Sequence, residues 1–281
     1  MTVAIVTDSG SDLTPTQLRE GKIRQVPLTV SLGDRSYLSP DELAPEDFWR
    51  KLRAPDSPFP HTAAPSAGQF KLSFEEAFAD GADAVVCSCL GDKISATLRS
   101  AQIAKEMLPG RPIEIVDSRS ASMASGALAI RGAELAAQGA SAADIVERLE
   151  RLREATTLFV VLETLDYLRK GGRIGHTRAA IGGLLSVKPI ITVEDGLVVA
   201  ADQPRTRAKA RERLMGLITA RPLDELHIMY SPPADTTAFR DEVLARLPGP
   251  TPRRVTSQIV GPVIGAHVGP GAYGAVLVLA D

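Results

Sequence analysis

Three side chains that can bind an anion without a fixed charge stand far apart in the sequence: Thr62, Ser95 and His267. Ser95 lies at a predicted helix start, where free N–H groups and the helix dipole favour an anion. Thr62 precedes another predicted helix start. Two hydroxyls and an imidazole could bind a carboxylate as neutral hydrogen-bond donors. Each also has a plain structural interpretation, because serine often caps helices and histidine is often a satisfied core residue.

His267 stands in the glycine-rich stretch GPVIGAHVGPGAYG, residues 261–274. Glycine is costly to order and is used where φ must be positive or where atoms approach the backbone closely. We therefore expect a tight loop, which is either a set of turns or the wall of a site.

A second group of residues that could do chemistry is acidic. Asp8 and Asp12 lie in TDSGSD, after the first predicted strand, and Asp117 follows a later strand. In a phosphotransfer or hydrolytic enzyme acting on a small molecule, such carboxylates would do acid–base or metal chemistry. Aspartates in this context more often cap helices and turns. The residues alone leave both alternatives open.

The composition excludes several classes of protein. The chain has 281 residues, a formal net charge of -2 and 44% hydrophobic residues, as in an ordinary globular protein. We therefore expect no nucleic-acid partner. Cys87 and Cys89 lack further metal ligands nearby and are interpreted as small buried residues. The first apolar run has the pattern of a buried strand, so we expect a cytoplasmic protein.

The elements that must position these residues follow two patterns. Before residue 155, apolar strands alternate with helices, which predicts a mostly parallel sheet covered on both sides. After it, a hairpin around Asp195-Gly196 and further strands predict an α/β unit with antiparallel pairing. We predict two domains, 1–155 and 156–281. Ligands bind beyond the carboxyl ends of strands in such sheets, so we expect a cleft lined with hydroxyl groups at the loops that follow the strands.

The order of the motifs resembles the DegV family, which includes the fatty-acid-binding subunit of bacterial fatty acid kinase. The matching stretches are TDSGSDL (7–13), TAAPS (62–66), DKISATLRSA (92–101), VDSRSASMASG (116–126), LDYLRKGGRIG (165–175), VKPIITVEDG (187–196) and GAHVGPGAYG (265–274).

The resemblance implies a binding protein, not an enzyme, that encloses a long-chain fatty acid between two domains. It assigns carboxylate binding to Thr62, Ser95 and His267, with no metal or other cofactor. Ala63 and Ala64 replace two polar residues of the commoner TSQPS pattern, and Ala96 replaces the glycine of LSGT, so we expect a thinner polar network around the carboxylate.

The resemblance also implies a partner, an ATP-dependent kinase subunit that converts the bound acid to acyl phosphate for phospholipid synthesis. A DegV-like lipid-binding module with another partner is the alternative. We expect Arg173, in Lys170-Gly171-Gly172-Arg173, to be exposed and to contact the kinase or an anionic surface such as a membrane. Its plain interpretation is a cation that complements the dipole of the preceding helix.

Overall fold

The computed structural model describes residues 1–174, 187–234 and 236–280. Its strands are β1 (Val3–Asp8), β2 (Arg24–Val26), β3 (Leu28–Leu32), β4 (Arg35–Ser39), β5 (Pro60–Ala63), β6 (Ala84–Cys89), β7 (Ile113–Asp117), β8 (Thr156–Val161), β9 (Ile190–Glu194), β10 (Leu197–Asp202), β11 (Leu223–Tyr230), β12 (Arg254–Ile259) and β13 (Tyr273–Leu279). Its α-helices are Pro15–Gly21, Pro45–Leu52, Ala67–Ala79, Thr97–Glu106, Met123–Ala137, Ala142–Glu154, Asp166–Lys170, Arg207–Ile218, Thr237–Arg246 and Pro262–Val268.

The N-terminal part contains a four-stranded parallel sheet in the order β2-β1-β6-β7. Phe70 and Phe74 of helix Ala67–Ala79 pack with Val85 on one face. Leu128 and Leu149, from the helices Met123–Ala137 and Ala142–Glu154, cover the other face. Both faces are buried, which explains why the strands are almost continuously apolar and confirms the predicted parallel sheet.

A three-stranded antiparallel sheet, in the order β4-β3-β5, flanks this core and was not predicted as a sheet. The strands β3 and β4 pair as a hairpin across Gly33 and Asp34. The pairing of β3 with β5 joins strands about 30 residues apart in sequence, so short-range patterns do not reveal it. Its consequence is that Thr62 lies in β5, opposite Val30 of β3, and not in a loop before a helix.

The C-terminal part is a six-stranded sheet in the order β10-β9-β8-β13-β11-β12, antiparallel except for the pair β11 and β12. The predicted hairpin is confirmed: Asp195 and Gly196 form its two-residue turn with φ of 49° and 76°. The helices Arg207–Ile218 and Thr237–Arg246 pack on one face of this sheet, through residues such as Leu214 and Phe239.

The other face of the six-stranded sheet joins the N-terminal core. Ile5 and Met123 belong to the same buried cluster as Leu158, Met229 and Val276 of the C-terminal strands. The two sheets therefore share one hydrophobic core. One parallel and one mostly antiparallel sheet, both covered by helices, confirm the predicted α/β fold class. No helix in the described part of the chain is long and apolar enough to cross a bilayer.

A buried ion cluster also joins the two parts. Glu225 of β11 is 1% exposed and accepts from Arg131 of helix Met123–Ala137 at 2.9 Å. Arg254 of β12 reaches the other carboxylate oxygen at 2.9 Å, and Arg253 also pairs with Glu225. His227 lies beside it, with its Nε2 3.2 Å from Glu225 Oε2. These cations and the histidine hydrogen bond outweigh burial and lower the pKa of Glu225 to about 2.

Candidate functional site

A narrow cavity, called here the central cavity, lies between the six-stranded sheet on one side and β3, β5 and loops of the N-terminal part on the other. The volume of the cavity is about 110 Å³. Most of its wall is aliphatic, and the contributing residues include Leu28, Leu158, Ile191, Met229, Val263 and Val276. Its shape and wall suit one slender apolar chain, because such a wall offers hydrogen bonds only at the few polar positions along it.

Thr62, Ser95 and His267 all line the central cavity, although they are separated by up to 205 residues in sequence. Thr62 Oγ1 lies 2.9 Å from Nε2 of His267. Ser122, Arg173 and Tyr273 are the other residues with polar side chains on its described wall. The tertiary fold thus brings the three residues to one cavity, where hydroxyl and imidazole donors can meet an acidic head group.

His267 lies on the short helix Pro262–Val268, so the predicted tight loop is wrong for these residues and holds only for 269–272, where Gly269 and Gly271 have positive φ. Pro262 occupies the first helical turn and Gly261 is the N-cap, an arrangement typical of a helix start. Gly265 is where this helix approaches helix Pro45–Leu52 closely: a Cβ there would lie 2.7 Å from ring atoms of both Phe48 and Trp49. One of the glycines therefore serves helix packing, and the helix fixes the direction of the imidazole.

The imidazole of His267 is half-buried, and its surroundings favour the neutral form. Burial, and then the positive charge of Arg173, lower its pKa from 6.5 to about 4. Its Nδ1 is buried and has no hydrogen-bond partner among the described residues. Gly171 lies directly against that nitrogen, since a Cβ at this position would be 2.5 Å from Nδ1. The imidazole ring therefore lies between the hydroxyl of Thr62 and the backbone of Gly171, which has no side chain.

Ser95 precedes helix Thr97–Glu106 by two residues, so the helix begins later than predicted. Its Oγ lies 2.8 Å from Oγ1 of Thr97 and accepts from the Thr97 N–H at 3.3 Å. The serine is therefore both a local capping residue and part of the cavity wall. From the sequence, capping and a place in the binding site were alternative interpretations of Ser95. In the structure Ser95 caps the helix start and also lines the cavity.

Arg173 is half-buried and lines the cavity, so its predicted full exposure is wrong. Gly172 has a φ of 73°, and the N–H of Arg173 returns to the carbonyl of Leu168 at 3.0 Å. This Schellman-type ending turns the chain back towards the helix it has just left. The guanidinium donates to the carbonyls of Ile94 at 3.2 Å and Gly171 at 2.7 Å. Gly175, which ends the same sequence motif, lies outside the described residues.

The acidic residues of the alternative enzyme hypothesis do not line the central cavity. Asp8 is fully buried and accepts from the N–H groups of Gly10 and Leu90, both at 2.8 Å. Burial raises the pKa of Asp8 to about 6. Asp117 accepts from backbone N–H groups of its own and a neighbouring loop. No cluster of three metal-ligating side chains occurs within residues 1–174, 187–234 and 236–280. The geometry favours structural capping.

Asp12 and Ser122 form a contact that sequence reasoning missed. Ser122 Oγ donates to Asp12 at 2.6 Å, and the N–H of Gly261 donates to the same carboxylate at 3.0 Å. Burial raises the pKa of Asp12 to about 7. Ser122 also lines the cavity and has a φ of 56°, which is unusual for a non-glycine residue. Asp12 thus ties the loop after β1 to the start of the helix that carries His267.

Comparison with known proteins assigns the chain to a family. The family model described as "Uncharacterised protein, DegV family" matches residues 2–280. A DegV domain-containing protein of Streptomyces coelicolor is 34% identical over 281 residues, which is 98% of this chain and 98% of that protein. The chain belongs to the DegV family, as its motifs predicted.

Solved structures share the complete fold. A structure titled as fatty acid binding of a DegV family protein from Thermus thermophilus superimposes with a TM-score of 0.90, at 34% identity over 100% of both chains. A stearic acid-binding protein from Eubacterium ventriosum matches with a TM-score of 0.84 and 26% identity, over 99% of this chain and 98% of that one. The arrangement of the two sheets is therefore that of solved DegV proteins.

Proposed function

We propose that this protein binds a long-chain fatty acid in the central cavity and is a binding subunit, not a catalyst. The observation that carries the proposal is the narrow aliphatic cavity with Thr62, Ser95 and His267 on its wall. The fatty-acid-binding DegV structures of the same fold support it. Burying each methylene contributes about 0.8 kcal/mol, so a long chain gains on the order of 10 kcal/mol before ordering costs.

The carboxylate is bound by neutral donors in this proposal. A buried carboxylate is costly unless it accepts hydrogen bonds. Neutral His267 can donate from Nε2 to Thr62 Oγ1, which leaves the Thr62 hydroxyl proton for the acid. Ser95 supplies a second hydroxyl from the segment just before helix Thr97–Glu106. His267 then positions Thr62, and no proton transfer by the imidazole is required.

We further propose that the bound acid is presented to an ATP-dependent kinase. In that reaction a carboxylate oxygen forms a bond to the γ-phosphorus of ATP, and ADP leaves with the bonding electron pair. The product is an acyl phosphate, a mixed anhydride. Arg173 supports this step, because its half-buried guanidinium lies at the cavity wall and extends positive charge to a developing phosphoryl group.

Lipid extraction and mass spectrometry test fatty-acid binding directly. The purified protein is expected to yield close to one fatty acid per chain. In the delipidated protein, Ser95→Ala is expected to weaken palmitate binding by about 10- to 100-fold, since a charge-assisted hydrogen bond contributes about 1.5–3 kcal/mol. Ser100→Ala, on the helix that follows Ser95 but away from the cavity wall, is the control. A Ser95→Ala protein with a lower melting temperature and unchanged palmitate affinity would leave Ser95 as a helix cap alone.

Kinase presentation has its own measurement. Acyl-phosphate formation with the cognate kinase is assayed at saturating palmitate, so that altered affinity does not affect the rate. Arg173→Ala is expected to lower this rate at least tenfold, corresponding to about 1.4 kcal/mol of lost transition-state stabilisation. An unchanged rate would remove Arg173 from the kinase step and leave the fatty-acid site intact.

A further inference from the structure

A second, open cavity adjoins the central one, and we call it the cationic basin. Its volume is about 570 Å³, and its wall includes Asp92, Lys93, Arg99, Gly172, Arg173 and Leu197. Ile94, Ser95, Arg173 and Val198 line both cavities. The basin therefore begins where the hydroxyl of Ser95 would hold the acid, and it opens towards solvent.

The charge in the basin is mainly positive. Lys93, Arg99 and Arg173 contribute three cations, against one carboxylate from Asp92. Within the described residues no carboxylate lies at ion-pair distance from any of the three cations. The two described hydrogen bonds of Arg173 go to backbone carbonyls, which leave its charge uncompensated. The stem of Lys93 lies along the hairpin turn at Gly196, about 3.5 Å from where a Cβ would stand.

The basin has the chemistry of a phosphate site and not of a carboxylate site. Thr62, Ser95 and His267 supply neutral donors, which suffice for a single negative charge. A terminal phosphoryl group carries about −1.5 to −2 and has three acceptor oxygens, so it is matched better by lysine and arginine. Two of the three cations, Lys93 and Arg99, lie in the basin but do not line the central cavity.

We propose that the cationic basin holds the phosphoryl group of the acyl phosphate while its acyl chain remains in the central cavity. This inference rests on the proposed function. Phosphorylation adds its new group at the carboxylate oxygen, and from Ser95 the adjoining space is the basin. Lys93 and Arg99 would then give the product head group contacts that the carboxylate of the substrate does not have.

Binding of a stable analogue tests the inference without a kinase. Hexadecyl phosphate and palmitate are titrated into delipidated wild-type protein and into the double variant Lys93→Ala/Arg99→Ala. The control is Lys209→Ala/Arg221→Ala, which removes the same charge from two exposed residues that line neither cavity. We expect the basin variant to lose about tenfold in affinity for hexadecyl phosphate and less than twofold for palmitate. The control should retain both affinities.

Other results would overturn the inference. Equal affinities of the basin variant and the control for hexadecyl phosphate would show that the cations do not contact the head group. If the basin variant lost affinity for palmitate and for hexadecyl phosphate by the same factor, Lys93 and Arg99 would assist the entry of both ligands and would not recognise the phosphoryl group. Inorganic phosphate is added to palmitate-loaded protein and followed by phosphorus NMR. If inorganic phosphate bound to the palmitate-loaded wild-type protein and not to the palmitate-loaded basin variant, the basin would be a site for free phosphate and not for the acyl phosphate. Failure of wild-type protein to bind palmitate would instead reject the proposed function itself.

Discussion

At the scale of single residues, Gly171 controls the position of His267. Its φ and ψ of -74° and -8° are ordinary helical values, so alanine fits the backbone. The added Cβ would nevertheless lie 2.5 Å from His267 Nδ1 and 2.9 Å from the carbonyl of Tyr167. We expect Gly171→Ala to push the imidazole away from Thr62 and to weaken palmitate binding about tenfold, the equivalent of one hydrogen bond of about 1.4 kcal/mol.

The control for Gly171→Ala is Gly216→Ala, in helix Arg207–Ile218, where an added Cβ meets no atom within 4 Å. Gly216 lies inside its helix, where alanine is favoured by helix propensity, so this control shows what the same substitution does without a steric contact. Titration calorimetry with palmitate compares the two proteins. Equal affinities would mean that His267 adjusts freely and that its observed contact with Thr62 does not determine binding.

At the scale of elements, helix Pro262–Val268 depends on its close packing against helix Pro45–Leu52. Trp49 Nε1 donates to the carbonyl of Val260 at 2.7 Å, and Gly265 leaves room for the rings of Phe48 and Trp49. Gly265→Ala overfills this contact, and overpacking costs about 1–3 kcal/mol, or about 2–9 °C of melting temperature at this chain length. The displaced helix is also expected to bind palmitate more weakly, because it carries His267.

Differential scanning calorimetry and palmitate titration check this prediction together. Gly68→Ala is the matched control in helix Ala67–Ala79, since its Cβ would find only Ser66 Oγ, at 3.7 Å. The interpretation fails if Gly265→Ala melts like the control and binds palmitate normally, because the two helices would then separate without cost.

At the scale of the whole molecule, Glu225 couples the two parts in a pH-dependent way. Its folded pKa, about 2, is below its ordinary value of 4.5. The carboxylate therefore stabilises the fold fully above pH 4.5, and this contribution is lost as pH falls towards 2. We expect Glu225→Gln to lower the free energy of unfolding by about 3–5 kcal/mol at pH 7, since breaking a buried ion cluster leaves charges unpaired.

Urea unfolding of wild type and Glu225→Gln at pH 7, 5, 4 and 3 measures this dependence. The difference in the free energy of unfolding between the two proteins should be constant down to about pH 5 and should shrink below that pH. Glu150→Gln, at an exposed carboxylate with a 3.9 Å ion pair, is expected to differ little from wild type throughout. A Glu225→Gln difference that is independent of pH would assign the effect to packing and not to charge.

The sequence by itself determined the family, the alternation of strands and helices, the Asp195-Gly196 hairpin and the identity of the residues proposed to bind the acid. The alternation and the hairpin are local patterns, set by side-chain periodicity and turn chemistry. The family and the proposed acid-binding residues followed instead from the resemblance of the motifs. It also identified Arg173 and the aspartates, but not their surroundings. Asp8 and Asp117 accept hydrogen bonds from backbone N–H groups, some of which belong to loops distant in sequence. These hydrogen bonds explain the structural role of both carboxylates.

Only the tertiary structure decided that Thr62 lies in a strand, that His267 lies on a helix and that both meet at 2.9 Å. Their contact spans 205 residues and depends on how helix Pro262–Val268 packs on the three-stranded sheet, which no local pattern encodes. The same packing placed Gly171 against His267 and joined the cationic basin to the central cavity. Burial then made the imidazole neutral, because a charged ring is costly away from water.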